Sequence, residues 1–288
     1  MKQKYIKSPV NYAGGKYRLL DRIIPLFPEK IDTFVDLFGG AFNVGINVDA
    51  DNIVYNDINN YLQILFMYFQ LWDLPRLNYE IDKIIEDNNL SATDKEAFLA
   101  FRKHWNECPQ EERRFHVLEL FVLSCYSFNY QMRFNSKHEF NSSFGYEDST
   151  MNPNIRKNLN EFVEAIHNKK CLFMGLDFRK IHIRAGDFIY IDPPYSLGCG
   201  VYQDGKRGFS GWTDKDDDDL LKLMDFWDSH GIKWAMSNVF ENKGLVNEKL
   251  IVWSEKYNVH HLAMNYSNAN YHRKPGSTDE VLITNYST

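Results

Sequence analysis

A carboxylate, two prolines and an aromatic ring stand together at Asp192-Pro193-Pro194-Tyr195. Their types suit one task, gripping an amino group on a flat heterocycle. The Asp192 carboxylate and the neighbouring Pro193 carbonyl each accept one hydrogen of an exocyclic NH2 group, and the Tyr195 ring offers a face on which the heterocycle stacks. Proline suits such a place because it cannot donate to a strand ladder and it restricts the residue before it. The chain therefore stops and turns with its carbonyls held rigid. The same four residues also read as a strand end that turns through Pro-Pro with a surface Asp, so the rest of the sequence must decide.

Two glycine-bearing turns offer the other half of a small-molecule site. Tyr12-Ala13-Gly14-Gly15-Lys16 precedes an amphipathic helix pattern with Leu19, Leu20, Ile23, Ile24 and Phe27 on one face, ended by Pro28. Gly-Gly-Lys here either cradles an anion or simply opens the helix, and the longer glycine-rich loop of a phosphate site is missing. Phe38-Gly39-Gly40 follows the strand pattern Thr33-Phe34-Val35-Asp36-Leu37. Glycines in that position let a ligand approach the backbone closely. The next strand pattern, Asn52-Ile53-Val54-Tyr55, ends at Asn56-Asp57-Ile58-Asn59. An acid at the tip of the second strand, roughly 20 residues after the glycines, is placed to bind ribose hydroxyls. Without a Gly-x-Gly-x-x-Gly run, the pattern indicates a nucleoside-bearing cofactor and not a dinucleotide.

In residues 127–145, Asn129, Gln131, Arg133, Asn135, Asn141 and Ser143 interleave with Phe128, Tyr130, Phe134, Phe140 and Phe144. Amides and arginine are the side chains that read base edges bidentately, and aromatic rings pack against bases. A polar loop pinned by buried aromatics is the competing reading. The stretch has no clean helical or strand period.

These groups need a frame. Residues 187–191 read as a buried strand whose carboxyl end presents Asp192, and ligands bind at that end of an open α/β sheet. Residues 60–130 read as helical. Within them 61–72 is apolar almost throughout, Thr93-Asp94-Lys95-Glu96 is a capping box opening a helix to Trp105, and 111–126 forms a helix with Phe115, Leu118, Phe121 and Val122 inward. The α/β pattern resumes with a helix over 155–167 and strands over 171–174 and 187–191. A helix over 213–230 follows, capped by Thr213 and closed by Gly231, then a strand over 232–236 and a helix to about residue 257. Strands over 259–264 and 280–285 close the sheet, and the polar stretch 266–277 between them suits a lid. Seven strands result, two before the helical block and five after it, so the block is an insertion into an α/β domain.

The totals narrow the class. With 44% hydrophobic and 25% charged residues, the 288-residue chain has the composition of an ordinary globular protein with ample core. A net charge of −6 argues mildly against a nucleic-acid partner, but five of the acids, Asp214 and Asp216 to Asp219, are clustered. No apolar run reaches the roughly 20 residues that span a bilayer, and residues 1–7 lack the apolar core of a signal peptide. Cys108, Cys125, Cys171 and Cys199 show no paired spacing, and His104 with Cys108 reads as an ordinary helix surface. The expectation is a cytoplasmic protein that needs no metal.

Taken in order, these motifs resemble the Dam-type (α-group, D12 class) DNA adenine-N6 methyltransferases, particularly the phage-encoded ones. The resemblance rests on Tyr12-Ala13-Gly14-Gly15-Lys16, Phe34-Val35-Asp36-Leu37-Phe38-Gly39-Gly40, Asn56-Asp57-Ile58, Arg133-Phe134-Asn135 with Phe140-Asn141 and Phe144-Gly145, Asp192-Pro193-Pro194-Tyr195, Ser237-Asn238-Val239 and the closing Thr278-Asp279-Glu280-Val281. It implies a Rossmann-like seven-stranded sheet, parallel except for the last hairpin strand. Residues 1–59 and 151–288 would form a discontinuous catalytic domain and 60–150 a mostly helical target-recognition domain. The cofactor it implies is S-adenosylmethionine, held by Tyr12, Ala13, Gly14, Gly15, Lys16, Asp36, Phe38, Gly39, Gly40, Asp57, Ile58, Asp177, Phe178 and Asp192. Asp177 and Phe178 would flank its adenine and Asp57 its ribose.

The implied partner is double-stranded DNA in a bacterial or phage-infected cell, with a cognate restriction endonuclease as a further partner. Arg133 would read a guanine, with Asn129, Gln131, Asn135, Asn141 and Ser143 around it. Gln131 replaces a usual aliphatic residue and Ser143 a usual proline, so the target is GATC or another site with a GA core. The alternatives are a methyltransferase acting on RNA or a protein amide, and a DNA-binding regulator without turnover.

Overall fold

The short apolar runs of the sequence become strands of one sheet, seen in a computed structural model that describes residues 5–12, 14–147, 149–195, 211–262 and 278–288. Ala13 and the expected lid at 266–277 lie outside the described residues. β1 (Thr33–Asp36) and β2 (Asn52–Asn56) come first, then β3 (Cys171–Met174), β4 (Phe188–Ile191), β5 (Lys233–Asn242), β6 (Leu245–Val246), β7 (Asn258–His261) and β8 (Asp279–Thr284). Their order across the sheet is β3-β2-β1-β4-β5-β8-β7, with β6 beside β5. β1 pairs in parallel with β2 and β4, β2 with β3, and β4 with β5; β8 runs antiparallel to β5 and β7. All seven expected strands are present with β8 as the reversed one, an α/β arrangement consistent with the methyltransferase fold.

The eighth strand is a correction. β5 does not stop at Met236 but runs to Asn242 and turns back into β6 through Lys243 (φ 51°) and Gly244 (φ 83°). Two successive positive φ values are what a two-residue hairpin turn needs to match strand twist. Glu241, Asn242 and Lys243 hid this extension by being polar at a place where the strand projects beyond its parallel neighbour.

The helices are α1 (Leu20–Ile23), α2 (Asn60–Leu71), α3 (Leu74–Asp87), α4 (Lys95–Glu107), α5 (Val117–Cys125), α6 (Pro153–His167), α7 (Asp214–Ser229) and α8 (Glu248–Ser254). Three differ from expectation. α1 is a single turn between 3-10 turns at Tyr17–Leu19 and Ile24–Leu26, because Pro25 cannot donate within a continuous helix. α4 is capped by Asp94, whose carboxylate accepts from the Ala97 amide at 2.9 Å, and not by Thr93. Phe115 is 62% exposed in a 3-10 turn, Arg113–Phe115, that precedes α5. The Arg113 guanidinium donates to the carbonyls of Asn106, Cys108 and His138, and this draws the segment into a tight turn with Phe115 outside.

Side chains alternate between two cores, as they must in a sheet covered on both faces. Phe34, Phe188 and Tyr190 face one side with Tyr61, Phe66 and Phe69 of α2, whereas Val35, Ile189 and Ile191 face the other with Leu220, Met224 and Trp227 of α7. The inserted helices therefore share an uninterrupted core with the sheet. No helix among the described residues is long and apolar enough to cross a membrane.

Candidate active site

Strand order reverses between β1 and β4, and the crevice beyond their carboxyl ends is where open α/β sheets bind ligands. Asp36 lies opposite Tyr190 in the register, so Phe38-Gly39-Gly40 leaves β1 beside the turn that carries Asp192. The Asp192 side chain is 14% exposed, and both its oxygens are engaged. Oδ2 lies 2.8 Å from Lys16 Nζ, and Oδ1 accepts from the Tyr195 hydroxyl at 3.0 Å. Lys16, itself 4% exposed, also donates to the Gly14 carbonyl at 2.8 Å and stands 3.8 Å from Glu280 Oε1. Its ammonium sits 5.1 Å from the centre of the Tyr195 ring. Burial raises the Asp192 pKa, against the lowering pull of Lys16 and the Tyr195 hydroxyl.

The glycine turn is built on Asp57. Its Oδ2 accepts from Gly40 N at 2.9 Å and its Oδ1 from Asn59 N at 2.8 Å, which leaves lone pairs on both oxygens for a hydroxyl. Ile58 beside it is half exposed, an apolar surface at the rim. Asn59 also reaches Tyr12, whose ring edges the turn at Gly40. Asp36 is deeper and accepts from Gly45 N at 3.1 Å. Burial pushes Asp36 up to about 8, with Asp192 and Asp57 adding repulsion, and pushes Asp57 up to about 6.

A pH dependence follows from these two buried acids. The folded chain holds their protons to higher pH than an unfolded chain, so stability falls as pH rises from about 4 towards 6 for Asp57 and 8 for Asp36. Each group contributes a slope of up to about 1.4 kcal/mol per pH unit. Asp36→Asn is expected to flatten the urea-midpoint profile of the ligand-free protein between pH 6 and 8. An unaltered slope would sink this account.

At the edge of the crevice Phe38, Phe178 and Trp212 form an aromatic trio with ring centres 5.4–5.5 Å apart. Asp177 opens the turn that carries Phe178. Its oxygens accept from the amide and guanidinium of Arg179, which also pairs with Asp216 and Asp219 of α7. Asp177 thus braces Phe178 from the side. Among the described residues no group of three His, Cys, Asp or Glu side chains is placed to hold a metal.

The expected base-reading stretch is a short hairpin. Phe134 bridges Phe140, Asn135 N donates to Glu139 O, and Asn141 N donates to Arg133 O. Met132, Phe134, Phe140 and Ser142 are buried while Arg133, Asn141 and Ser143 are exposed. The strand period missed in the sequence is therefore present. Asn135 holds the hairpin tip, accepting from Lys137 N and Glu139 N and donating to Glu139 Oε2. Asn129 adopts a left-handed conformation at the hairpin root, where its carbonyl accepts from Asn11 at 2.6 Å, and Gln131 bridges Asn11. The α4 side chains Arg102 and Asn106 bond the backbone of Ser142 and Phe140, so the hairpin is mounted on a helix. Gly145 closes it where a Cβ would strike Ser149.

Residues 12–267 match the family model of the D12 class N6 adenine-specific DNA methyltransferases. The chain belongs to this family. It is similar to the Type II methyltransferase M.FokI of Planomicrobium okeanokoites, at 45% identity over 98% of this chain and 43% of the relative. It is also similar to the modification methylase StsI of Streptococcus sanguinis, at 46% identity over 99% and 44%. The DNA adenine methylase of Haemophilus influenzae is 30% identical over 65% and 63%. The chain spans less than half the length of the first two relatives.

Within this D12-class site, sequence reasoning missed three residues. Asn56 donates to the carbonyls of Leu37 and Leu176 and accepts from Leu176 N, tying the ends of β1 and β2 to the segment after β3. An asparagine at a strand end signals only a turn, so nothing flagged this role. Trp212 belonged to no motif, and Glu280 was read only as the start of a strand.

Proposed function

We propose that this chain transfers a methyl group from S-adenosylmethionine to N6 of an adenine extruded from duplex DNA. The observation that carries the reading is Asp192, followed directly by the Pro193 carbonyl, at the carboxyl end of β4 beside the strand-order reversal. Family membership supports the reaction class.

The residues of the crevice fit the cofactor. Asp36 lies close enough to Asp57 and Asp192 in the buried crevice for the three acids to disfavour one another's charge, and a ligand bringing a sulfonium and an ammonium would relieve that repulsion. Gly39 abuts the Tyr55 ring, so the turn can pack this closely on β2 only because residue 39 has no side chain. Asp57 would take the ribose hydroxyls, Ile58 and the Phe38–Phe178 pair the adenine, and Asp36 and the Tyr12–Lys16 turn the amino-acid end. When bound, the cofactor supplies a methyl carbon activated by positively charged sulfur. The chain supplies the rest. Asp192 and the Pro193 carbonyl accept the two N6 hydrogens, which favours lone-pair density on nitrogen, and Tyr195 stacks on the base. Rate acceleration comes from orientation and fixed electrostatics, with no separate general base before attack; the surplus N6 proton left after methylation passes to the hydrogen-bonded Asp192 and on to solvent.

Residues 60–150 act as the target-recognition domain and 1–59 with 151–288 as the catalytic domain. The outward face of the hairpin, with Arg133, Asn141 and Ser143, reads the duplex around a GA core, as in GATC. Arg133→Ala is expected to relax discrimination at one guanine by about 1–3 kcal/mol, measured across base-substituted duplexes. Unchanged preference would remove Arg133 from that role. The working compartment is the bacterial cytoplasm, and a restriction endonuclease sharing the target is the natural partner. Incubation of unmethylated plasmid with protein and S-adenosylmethionine, followed by single-molecule sequencing, tests the reading. N6-methyladenine at one short motif supports it; no modified adenine despite cofactor binding overturns it in favour of RNA, protein or silent binding.

A further inference from the structure

The site holds a conflict. The target amine needs an oxygen of Asp192, but Oδ2 is taken by Lys16 and Oδ1 by the Tyr195 hydroxyl. The Tyr195 hydroxyl is neutral, so parting it from Asp192 strands no charge. Lys16 cannot simply leave, because its side chain is only 4% exposed and a buried charge stripped of its partner is strongly disfavoured.

Glu280 offers the way out. It is the second residue of β8, opposite Val239 of β5, and so reaches the same carboxyl edge of the sheet as Asp192 from two strands away. Its Oε1 already lies 3.8 Å from Lys16 Nζ, just outside hydrogen-bond range, and the Gly14 carbonyl holds the ammonium at 2.8 Å as a pivot. Glu280 is largely buried, and its carboxyl is raised by that burial and by Asp192 while Lys16 counteracts both. No other described acid forms an ion pair with Lys16 besides these two.

We propose that Glu280 is a positioning residue, the alternative partner to which Lys16 is handed when the target amine displaces it from Asp192. The hand-over keeps the buried lysine paired throughout and frees an Asp192 oxygen only as the base arrives. In the absence of a target, the Lys16–Asp192 pair keeps the amine-gripping acid covered. This inference rests on the methyltransferase reading.

Glu280→Gln keeps the shape and removes the charge. The probe is a duplex carrying 2-aminopurine beside the target adenine mapped on plasmid, with S-adenosylhomocysteine present so that nothing turns over; fluorescence rises as the adenine leaves the stack. In E280Q, S-adenosylhomocysteine affinity should stay within twofold of wild type while the fluorescence rise drops at least fivefold. The single-turnover methylation rate should drop at least tenfold, with KM for DNA little changed. Glu280→Asp should recover most of both losses, and it is the readable variant if E280Q does not fold. In a Lys16→Met background, where no cation needs a new partner, E280Q should have no further effect on fluorescence.

A wild-type fluorescence rise in E280Q, an equal E280Q loss without Lys16, or a failure of Glu280→Asp to recover function would overturn the proposal. These outcomes are distinct from failure of the underlying reading, in which the wild-type chain methylates no adenine at all.

Discussion

Asp192→Ala is expected to lower methyl transfer at least about a thousandfold, the upper range for removing one preorganised polar group from a reacting centre. The fold should survive. Lys16 loses its 2.8 Å partner but keeps the Gly14 carbonyl and has Glu280 at 3.8 Å, so its charge is not stranded. Cofactor affinity should therefore change far less than turnover. Single-turnover rates with saturating duplex, alongside calorimetric cofactor binding, separate the two. Turnover near that of wild type would remove Asp192 from the chemistry. A parallel collapse of binding and thermal stability would make it a structural acid only.

The second large effect is expected at Gly39. A Cβ there would fall well inside contact distance of Cδ2 and Cε2 of Tyr55. That ring cannot yield. It is fully buried, its centre lies 5.2 Å from that of Phe42, 5.3 Å from Phe66 and 5.6 Å from Phe173, and its hydroxyl donates to the Gly40 carbonyl at 2.9 Å. The turn must move instead, and with it the Gly40 amide that Asp57 holds. Gly39→Ala should cost about 1–3 kcal/mol of stability, as overpacking does, and weaken S-adenosylmethionine binding at least tenfold. Unfolding curves and equilibrium binding measure these directly. Unchanged affinity in a destabilised protein would show that the turn is merely packed against Tyr55 and does not hold the cofactor.

The sheet was legible because each strand is a short β-branched or aromatic run bounded by polar residues, and because glycines and acids mark the strand tips. Legibility failed wherever a side chain's task depended on a distant partner. Phe115 has the spacing of an inward residue, but Arg113 reaches three carbonyls and turns it out. Residues 127–145 seemed aperiodic because their strand alternation is interrupted by left-handed residues at Asn129, Tyr130 and His138. The types of Lys16, Asp192 and Glu280 were visible, but their convergence is made by the strand order, which places β8 one strand beyond β5 and β5 beside β4. Asn56 was quoted within a motif and given no role, since its bonds run to carbonyls 19 and 120 residues away in the chain.

The hairpin on α4 has an evolutionary consequence. Inward rings and backbone bonds to Asn106, Arg102 and Arg113 anchor it, and none of these bonds involves the outward side chains at 141 and 143. Under the proposed reading, the outward letters at 141 and 143 can drift without unseating the hairpin. A lineage can thus try new target sequences by single substitutions at little cost in stability, while the chemistry at Asp192 is inherited untouched. Selection for a changed target would then be expected to find its answers in a handful of codons, far in the sequence from those that make the reaction possible.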